Sequence, residues 1–277
     1  MTITLPIFKQ LIDNLYDERE SKSLYYDILM RILDCDMTTL LMKGDDLMTP
    51  EKEIYFREII DRLKAGEPIQ YIWGDCYFHG NRFIVSPNVL IPRPETEELV
   101  DWVLEEGVFH SLLDIGTGSG CIAISLKKER SSAEIYAMDI SEKALSIAQE
   151  NAQLNDAPIH FIQDSILIPK ASNQTYDIIV SNPPYILQKE KAAMHKNVLE
   201  HEPHLALFVE DENPLLFYEK IAEYGIHHLT EQGLLFFEIN ALLGKETKEM
   251  LEEYGYHDVV IRKDINGKER MIRCRKK

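Results

Sequence analysis

Apolar side chains recur at helical spacing through the first 70 or so residues of the chain. One such series is Leu24, Ile28 and Ile32. Positions three or four apart lie on one face of a helix, so this spacing predicts an amphipathic helix with one buried face. Pro50, which follows a threonine, is a typical first helical residue and predicts a helix over about 50–65. The N-terminal part of the chain is therefore predicted to be a small helical domain.

The pattern changes between residues 71 and 92, where aromatic and β-branched side chains are interrupted by Gly74, Gly80 and Pro87. Short runs of this composition, broken by turn-forming residues, are typical of β-hairpins. The segment is predicted to be a hairpin that links the helical domain to a second, larger domain. The predicted units are residues 1–73, 74–92 and 93–277.

Downstream of the hairpin, short apolar runs alternate with longer amphipathic stretches. Such alternation is typical of a sheet of mainly parallel strands with helices on both faces. The sequence thus predicts a doubly wound α/β domain that ends in an antiparallel strand pair around Asn266 and Gly267. The predicted strands are 111–115, 133–138, 159–162, 176–180, 233–239, 259–262 and 269–273, and the predicted helices are 121–128, 141–154, 215–229 and 245–253.

Composition places the chain among ordinary globular proteins, with 277 residues, 45% of them hydrophobic and 28% charged. No apolar stretch is long enough to span a bilayer, and the N-terminus lacks the basic-then-apolar pattern of a secretory signal. We expect a cytosolic protein. The four cysteines are scattered without a C-x-x-C pair, which indicates neither a disulfide framework nor a zinc site. No metal site is expected.

The formal net charge of −17 argues against a tight nucleic-acid binder, because neutralisation of phosphates supplies most non-specific affinity for nucleic acids. Lysines and arginines do cluster within residues 262–277. That cluster can be read as a local basic patch or as a solvated strand and tail. We expect no direct readout of nucleic-acid sequence.

A glycine-rich segment follows the first predicted strand of the α/β domain, where an open sheet builds its ligand crevice. Its spacing is Gly-x-Gly-x-Gly, whereas a dinucleotide site would have Gly-x-Gly-x-x-Gly. The acidic residue before it would repel a pyrophosphate but complement the ammonium group of an amino-acid ligand, directly or through water. This favours S-adenosylmethionine over NAD, although a plain tight turn remains an alternative. The candidate residues are Asp114, Gly116, Thr117, Gly118, Ser119 and Gly120.

Two further carboxylates follow the next predicted strands. Asp139 ends the second strand, where an acidic side chain commonly binds ribose hydroxyls, and Asp164 follows the third strand within reach of an adenine. Each could equally be structural when taken alone. Together and in this order, they support an adenosine-containing cofactor.

The segment Asn182-Pro183-Pro184-Tyr185 follows the predicted strand 176–180. Two prolines remove two backbone N–H donors but keep both carbonyl acceptors, so the chain cannot continue as a paired central strand. The Asn182 side-chain oxygen and the Pro183 carbonyl could each accept an N–H from an NH2 group, and the Tyr185 ring offers a flat face. The segment indicates methyl transfer to a planar nitrogen. The alternative is a loop that merely ends a strand.

With these motifs in order, the chain resembles the class I S-adenosylmethionine-dependent methyltransferases and, in detail, the PrmC/HemK family of protein-(glutamine-N5) methyltransferases. The sharpest likeness is the run Ile-Pro-Arg-Pro-Glu-Thr-Glu at 91–97. The Asn-Pro-Pro-Tyr motif is shared with adenine-N6 and cytosine-N4 methyltransferases and is less specific. Other family-like stretches are 66–72, 89–90, 202–207, 263–264, Gly267 and Arg270.

The resemblance implies that residues 1–73 form a helical substrate-recognition domain, that 74–92 form the hairpin linker, and that 93–277 form a Rossmann-like methyltransferase domain with a seven-stranded sheet. It implies S-adenosyl-L-methionine as cofactor, held by Gly116–Gly120 and Asp139. The implied substrate is the glutamine of the Gly-Gly-Gln motif in class 1 peptide chain release factors. The chain departs from the family at Ser165, where an aromatic residue often lies near the adenine, and at Asn240 and Leu243.

The expected mechanism is direct in-line transfer of the methyl group to the amide nitrogen, with positioning as the main source of rate. Asn182, Pro183, Pro184 and Tyr185 are the predicted catalytic and substrate-binding residues, and Asn182 is also a predicted cofactor contact. Arg93 and Glu95 either line the substrate entrance or form an interdomain salt bridge. Three alternatives remain: an adenine-N6 nucleic-acid methyltransferase, an NAD-dependent oxidoreductase and a non-catalytic cofactor-binding scaffold.

Overall fold

The computed structural model describes residues 4–12 and 15–277, and residues 1–3 and 13–14 of the predicted N-terminal domain lie outside the described residues. The chain forms two compact units. The first comprises the residues up to Ile72 together with Lys196–His201, and the second comprises Trp73–His195 and Glu202–Lys277. A segment from the middle of the chain therefore belongs to the N-terminal unit. The role of that unit in substrate recognition stays a prediction.

The first unit is built of helices, as predicted. The side chains of Asp17 and Asp36 each accept a hydrogen bond at 2.8 Å from the backbone N–H three residues later, which satisfies a donor at a helix start. In the core, the rings of Phe8 and Phe56 stack with centroids 6.0 Å apart. The helices in the N-terminal part of the chain are α1 (Leu5–Leu11), α2 (Glu18–Leu33), α3 (Met37–Leu47), α4 (Pro50–Lys64) and α5 (Ile69–Trp73).

The predicted hairpin consists of β1 (Asp75–Phe78) and β2 (Asn81–Ile84), which pair in antiparallel register. It is part of the second unit. The buried amide of Asn151 holds it there: its Oδ1 accepts from Ile84 N–H at 2.6 Å, and its Nδ2 donates to the Ile84 carbonyl at 2.9 Å. The same Nδ2 donates to the Ser119 carbonyl at 2.9 Å, so one side chain connects the hairpin to the glycine-rich loop.

Seven strands form the main sheet of the second unit. They are β3 (Ser111–Ile115), β4 (Glu134–Asp139), β5 (His160–Gln163), β6 (Tyr176–Ser181), β9 (Leu229–Glu238), β10 (His257–Lys263) and β11 (Glu269–Arg275), in the spatial order β10-β11-β9-β6-β3-β4-β5. The five strands from β9 to β5 run parallel, and β11 pairs in antiparallel fashion with both β9 and β10. The predicted seven-stranded α/β sheet with its closing strand pair is confirmed.

Both faces of this sheet are covered by helices, which explains why central strands such as β3 and β6 contain apolar runs rather than alternating residues. On β6, Ile178 and Val180 face one core, whereas Ile179 faces the other. In the first core the Trp102 ring meets Phe236 edge to face, with centroids 5.5 Å apart. The helices are α6 (Pro94–Glu105), α7 (Cys121–Glu129), α8 (Glu142–Leu154), α11 (Leu216–His228) and α12 (Gly244–Glu253).

Several elements between β2 and α11 were not predicted. Helix α6 begins at Pro94, with Arg93 as its N-cap residue. Its acidic first turn, with Glu95 and Glu97, is a typical start signal. After β6 the chain forms β7 (Ile186–Leu187), a 3₁₀ helix (Gln188–Ala193), α9 (Lys196–His201), α10 (His204–Leu207) and β8 (Phe208–Val209). Among the described residues, no helix combines the length and the hydropathy needed to cross a membrane.

We predict that Asn151→Ala lowers the free energy of unfolding by about 2–4 kcal/mol, because it leaves buried backbone groups of Ile84 and Ser119 without partners. Urea denaturation would measure this loss. Gln149→Ala is the control, since Gln149 is exposed on the same helix and its removal should change stability by less than about 0.5 kcal/mol. Equal losses of stability in the two variants would show that the Asn151 hydrogen bonds do not hold the hairpin to the glycine-rich loop.

Candidate active site

The carboxyl ends of β3, β4 and β6 lie side by side at one edge of the sheet. Ile115, the last residue of β3, pairs in register with Met138 on one side and with Ser181 on the other. The chain runs from β3 through β4 to β5 in one direction and then returns to β6 on the opposite side of β3. Ligands bind at such a reversal in open α/β sheets. The loops after these three strands therefore form the candidate site.

The glycine-rich loop opens onto this edge through two of its glycines. Gly116 and Gly118 have φ of 74° and 55°, and no atom lies within 4 Å of a Cβ placed on either one. The backbone is thus open to close approach by a ligand. Gly120 has a different role: a Cβ there would lie 2.9 Å from Ile124 and 3.2 Å from Ala148, so it permits close packing of helices.

A cleft with about 1040 Å³ of space between atoms, its open mouth included, lies over these loops. It brings together most of the residues that the sequence singled out. The predicted residues that line it are Gly116, Gly118, Asp139, Asp164, Ser165, Asn182, Pro183 and Pro184. The predicted residues that do not line it are Asp114, Thr117, Ser119, Gly120, Tyr185, Arg93 and Glu95.

Asp114 lies beneath the glycine-rich loop and does not line the cleft, so its predicted contact with a ligand, directly or through water, stays a prediction. Its side chain is fully buried, and burial raises its pKa to about 7. The Thr117 hydroxyl donates to its Oδ2 at 2.6 Å, whereas its Oδ1 has no hydrogen-bond partner among the described residues. Within the structure, Asp114 acts by fixing the shape of the loop through Thr117.

Asp139 links the glycine-rich loop to the start of α8. It accepts from Gly118 N–H and from Ser141 N–H, both at 2.9 Å. Burial raises its pKa, and these hydrogen bonds oppose the rise. Each carboxylate oxygen has two lone pairs, so both retain capacity for a hydroxyl donor in the cleft.

The Asp164 carboxylate stabilises the turn after β5. It accepts from the N–H groups of Ser165 and Lys170, at 2.8 Å and 2.9 Å. Ser165 lines the cleft, and the neighbouring surface is provided by Ile166 and Leu167. This part of the cleft is therefore walled by aliphatic side chains, without the aromatic residue that the family often has at position 165.

Apolar residues that the sequence analysis had not assigned to the site complete the cleft, among them Val89, Ile140, Leu205, Phe217 and Ile221. Ile140 follows Asp139 directly and is 52% exposed, which is unusual for an isoleucine at the end of a buried strand. Val89 and Leu205 lie in stretches that were identified only as family-like. Membership of these family-like stretches was the signal that could have identified Val89 and Leu205. Their spacing along the chain shows no periodicity that would have identified them.

Asn182 and Tyr185 are held by one buried carboxylate, that of Glu238 at the end of β9. Tyr185 donates its hydroxyl to Glu238 Oε1 at 2.8 Å, and Thr96 on α6 donates to Oε2 at 2.6 Å. Asn182 Nδ2 in turn donates to Thr96 Oγ1 at 3.2 Å. Burial raises the pKa of Glu238, while the two hydroxyl donors and the charge of Arg270 oppose that rise.

Arg93 and Tyr185 do not line the cleft. Arg93 forms a 2.6 Å ion pair with the buried carboxylate of Glu202, and both residues belong to the second unit. Tyr185 lines a second cavity, together with Glu190, Asn240 and other residues. Burial raises the pKa of Tyr185 well above its ordinary value. The roles of Arg93, Glu95 and Tyr185 toward a substrate stay predictions.

The cleft suits the cofactor that the sequence indicated. Open space over Gly116 and Gly118 admits a ligand close to the backbone, and Asp139 offers acceptors for ribose hydroxyls. Ile140 and Leu167 supply apolar surface for a flat ring. None of these groups requires a ligand that carries a pyrophosphate, as a dinucleotide does.

Comparison with protein families gives two matches. The methyltransferase small domain matches residues 95–206, and the PrmC N-terminal domain matches residues 11–74. Together they cover parts of both structural units.

Two relatives align over nearly the whole chain. A release factor glutamine methyltransferase of Flavobacterium psychrophilum is 48% identical over 272 residues, covering 96% of this chain and 95% of that protein. A release factor glutamine methyltransferase of Bacteroides thetaiotaomicron is 47% identical and covers 95% of this chain and 96% of its own. This chain belongs to the release factor glutamine methyltransferase family. The predicted resemblance is thereby confirmed.

The fold agrees with solved methyltransferase structures. The crystal structure of a methyltransferase from Pyrococcus furiosus superimposes with a TM-score of 0.55 over 78% of this chain and 96% of its own, at 18% identity. The predicted class I methyltransferase fold is confirmed. Family membership also favours a protein glutamine over adenine N6 as acceptor, and it leaves no support for an NAD-dependent oxidoreductase.

The buried position of Asp114 predicts a particular pH dependence of stability. Its pKa is 3.8 ordinarily and about 7 in the fold, so between these values the folded state holds a proton that the unfolded state has lost. Wild-type stability should therefore fall with rising pH relative to Asp114→Asn, by at most about 4 kcal/mol between pH 4 and 7. Urea denaturation of both proteins across this range measures the difference.

Asp46→Asn, at an exposed position on α3, is the control and should remain parallel to the wild type throughout. A pH-independent difference between the wild type and Asp114→Asn would show that Asp114 does not hold a proton in this range.

Proposed function

We propose that this chain transfers a methyl group from S-adenosyl-L-methionine to the side-chain amide N5 of the glutamine in the Gly-Gly-Gln motif of class 1 peptide chain release factors. The observation that carries the proposal is the joint presence of the glycine-rich loop, Asp139 and Asn182–Pro184 in one cleft. The first two suit an adenosine cofactor, and the third suits an NH2 group. Membership of the family supports this combination of donor and acceptor.

S-adenosyl-L-methionine supplies an electrophilic methyl group on a sulfonium centre. Gly116 and Gly118 would hold the amino-acid portion close to the backbone, and Asp139 would bind the ribose. In this arrangement the chain contributes position and a largely apolar enclosure, which are major sources of rate in displacement reactions.

The acceptor nitrogen is a weak nucleophile, because its lone pair is delocalised into the amide carbonyl. Asn182 Oδ1 and the Pro183 carbonyl would each accept one of its two N–H donors, which fixes the direction from which the nitrogen approaches the methyl group. As the new N–C bond forms, the bond between the methyl group and sulfur would break, and its electron pair would stay on sulfur, which becomes neutral. The nitrogen would become positive and would release one of its protons to solvent. Two acceptors placed beside it stabilise that developing charge.

Pro183 and Pro184 make this acceptor set rigid. Proline fixes φ near −65°, so the carbonyl positions vary little. We further propose that the Tyr185 ring stacks on the plane of the acceptor amide, with its hydroxyl hydrogen-bonded to Glu238. Because the substrate takes part in translation, we also propose a cytoplasmic location, with no direct readout of nucleic-acid sequence.

We predict that Asn182→Ala lowers kcat by about 100-fold or more, since it removes an acceptor that acts on the reacting nitrogen. The dissociation constant of S-adenosyl-L-methionine should change by less than about threefold, because the glycine-rich loop and Asp139 remain. Transfer of labelled methyl groups measures turnover, and calorimetry measures cofactor binding. Asn173→Ala, at an exposed position, is the control.

The acceptor is tested by supplying a purified release factor, the same factor with its Gly-Gly-Gln glutamine changed to alanine, and DNA and RNA in parallel. Label is expected on the intact factor alone. Label on nucleic acid alone would overturn the assignment of the substrate, and near-normal turnover of Asn182→Ala would overturn the assignment of the site.

A further inference from the structure

The two ends of the Asn182–Tyr185 segment are connected through hydroxyl groups to one carboxylate, that of Glu238. We propose that Thr96 and Glu238 are positioning residues that determine which end of the Asn182 amide faces the substrate. The inference rests on the proposed function, in which the Asn182 oxygen accepts from the glutamine NH2 group. It goes beyond that function by naming the groups that orient the acceptor.

The single proton of the Thr96 hydroxyl determines the orientation of the Asn182 side-chain amide. A hydroxyl has one proton, and Thr96 donates it to Glu238 Oε2 at 2.6 Å. What Thr96 presents to Asn182, 3.2 Å away, is therefore a lone pair. Only the NH2 end of an amide complements a lone pair, so Nδ2 faces Thr96 and Oδ1 faces away from it.

The alternative amide orientation would be unfavourable at both ends. Rotation by 180° would place Oδ1 against the Thr96 oxygen, two acceptors facing each other without a proton between them. It would also turn the Asn182 NH2 group toward the place of the substrate NH2 group, two donors facing each other. A chain of hydrogen bonds that begins at Glu238 thus sets the polarity of the acceptor site.

Burial makes this chain of hydrogen bonds decisive. Glu238 is 1% exposed and Thr96 is 2% exposed, so water is not available to replace a lost partner at either residue. A hydroxyl at the protein surface could rotate toward solvent and leave the amide free to turn. The hydroxyl of Thr96 has no such freedom.

The Tyr185 hydroxyl holds the Glu238 carboxylate through its other oxygen. Tyr185 donates to Glu238 Oε1 at 2.8 Å and receives a weak contact of 3.5 Å from Arg270 Nη1. Arg270 is itself paired with Asp264 at 3.3 Å. With one hydroxyl on each oxygen, the plane of the Glu238 carboxylate is fixed, and the direction of the Thr96 hydroxyl is fixed with it.

The decisive pair of variants is Thr96→Val and Thr96→Ser. Valine keeps the shape of threonine but lacks the hydroxyl, whereas serine keeps the hydroxyl. We expect Thr96→Val to lower kcat by about 10- to 100-fold, with KM for the release factor and Kd for S-adenosyl-L-methionine within about threefold of wild type. Thr96→Ser should restore most of the turnover. A purely structural role would instead lower the melting temperature and leave kcat per folded molecule unchanged, which would overturn the proposal.

An independent readout needs no turnover. The side-chain amide signal of Asn182 can be assigned in a ¹⁵N spectrum by its loss in Asn182→Ala. In the wild type we expect a nuclear Overhauser effect between its Nδ2 protons and the Thr96 methyl group, and slow exchange of the hydrogen-bonded proton with water. Thr96→Ser should keep the slow exchange, and Thr96→Val should lose it.

This measurement separates failure of the inference from failure of the proposed function. Absence of the Overhauser effect in the wild type would overturn the inference, even if Thr96→Val does not fold. Absence of methyl transfer to any release factor, with the amide signal as expected, would instead overturn the proposed function.

Glu238→Gln tests the origin of the polarity. An amide offers one acceptor and one donor group, so one of the two hydroxyls that now donate to Glu238 must reverse. We expect kcat to fall about tenfold or more, and we expect the double variant with Thr96→Val to match the more impaired single variant. If the losses of kcat multiply in the double variant, the two residues act separately, and the proposed chain of hydrogen bonds from Glu238 through Thr96 to Asn182 is overturned.

Discussion

The register between β3 and β6 is the constraint on which the site depends. Because Ile115 lies opposite Ser181, the loops that follow these residues leave the sheet at the same level and meet over one cleft. A shift of one residue would exchange the two faces of a strand, so the burial of Ile178 and Val180 on one face and Ile179 on the other makes this register costly to change. The hydrophobic core thereby sets the distance between the glycine-rich loop and the Asn182–Tyr185 segment.

Rigidity in the site comes from groups that are satisfied away from the ligand. Asp139 uses its hydrogen bonds to hold the glycine-rich loop, and Asn182 uses its NH2 group to contact Thr96. Both residues line the cleft, so the acceptors that remain on them need little further ordering when a ligand binds. This distribution of partners lowers the entropic cost of organising the reacting groups.

The sequence could predict the sheet because apolar runs and their intervening helices carry strong local signals. Strands 111–115 and 176–180 were placed to within a residue, and the closing hairpin was found from its Asn-Gly turn. Side-chain partners across long separations have no such signal. Nothing in the local sequence of Glu238 or Thr96 tells that they meet, since 142 positions separate them. The depth of Asp114 below the glycine-rich loop likewise cannot be read from a motif.

The helix Lys196–His201 lies between β6 and β9 in the chain, yet it belongs to the N-terminal unit, where the His201 ring hydrogen-bonds to the Ala65 carbonyl at 3.2 Å. The N-terminal unit is consequently discontinuous. A gene segment encoding only the residues up to Ile72 would omit one helix of the N-terminal unit. That helix lies in the loop that follows the Asn182–Tyr185 segment. Exchange of the N-terminal unit between relatives by simple recombination would therefore require two coordinated crossovers, so the N-terminal unit and the loop that follows Asn182–Tyr185 are expected to be inherited together.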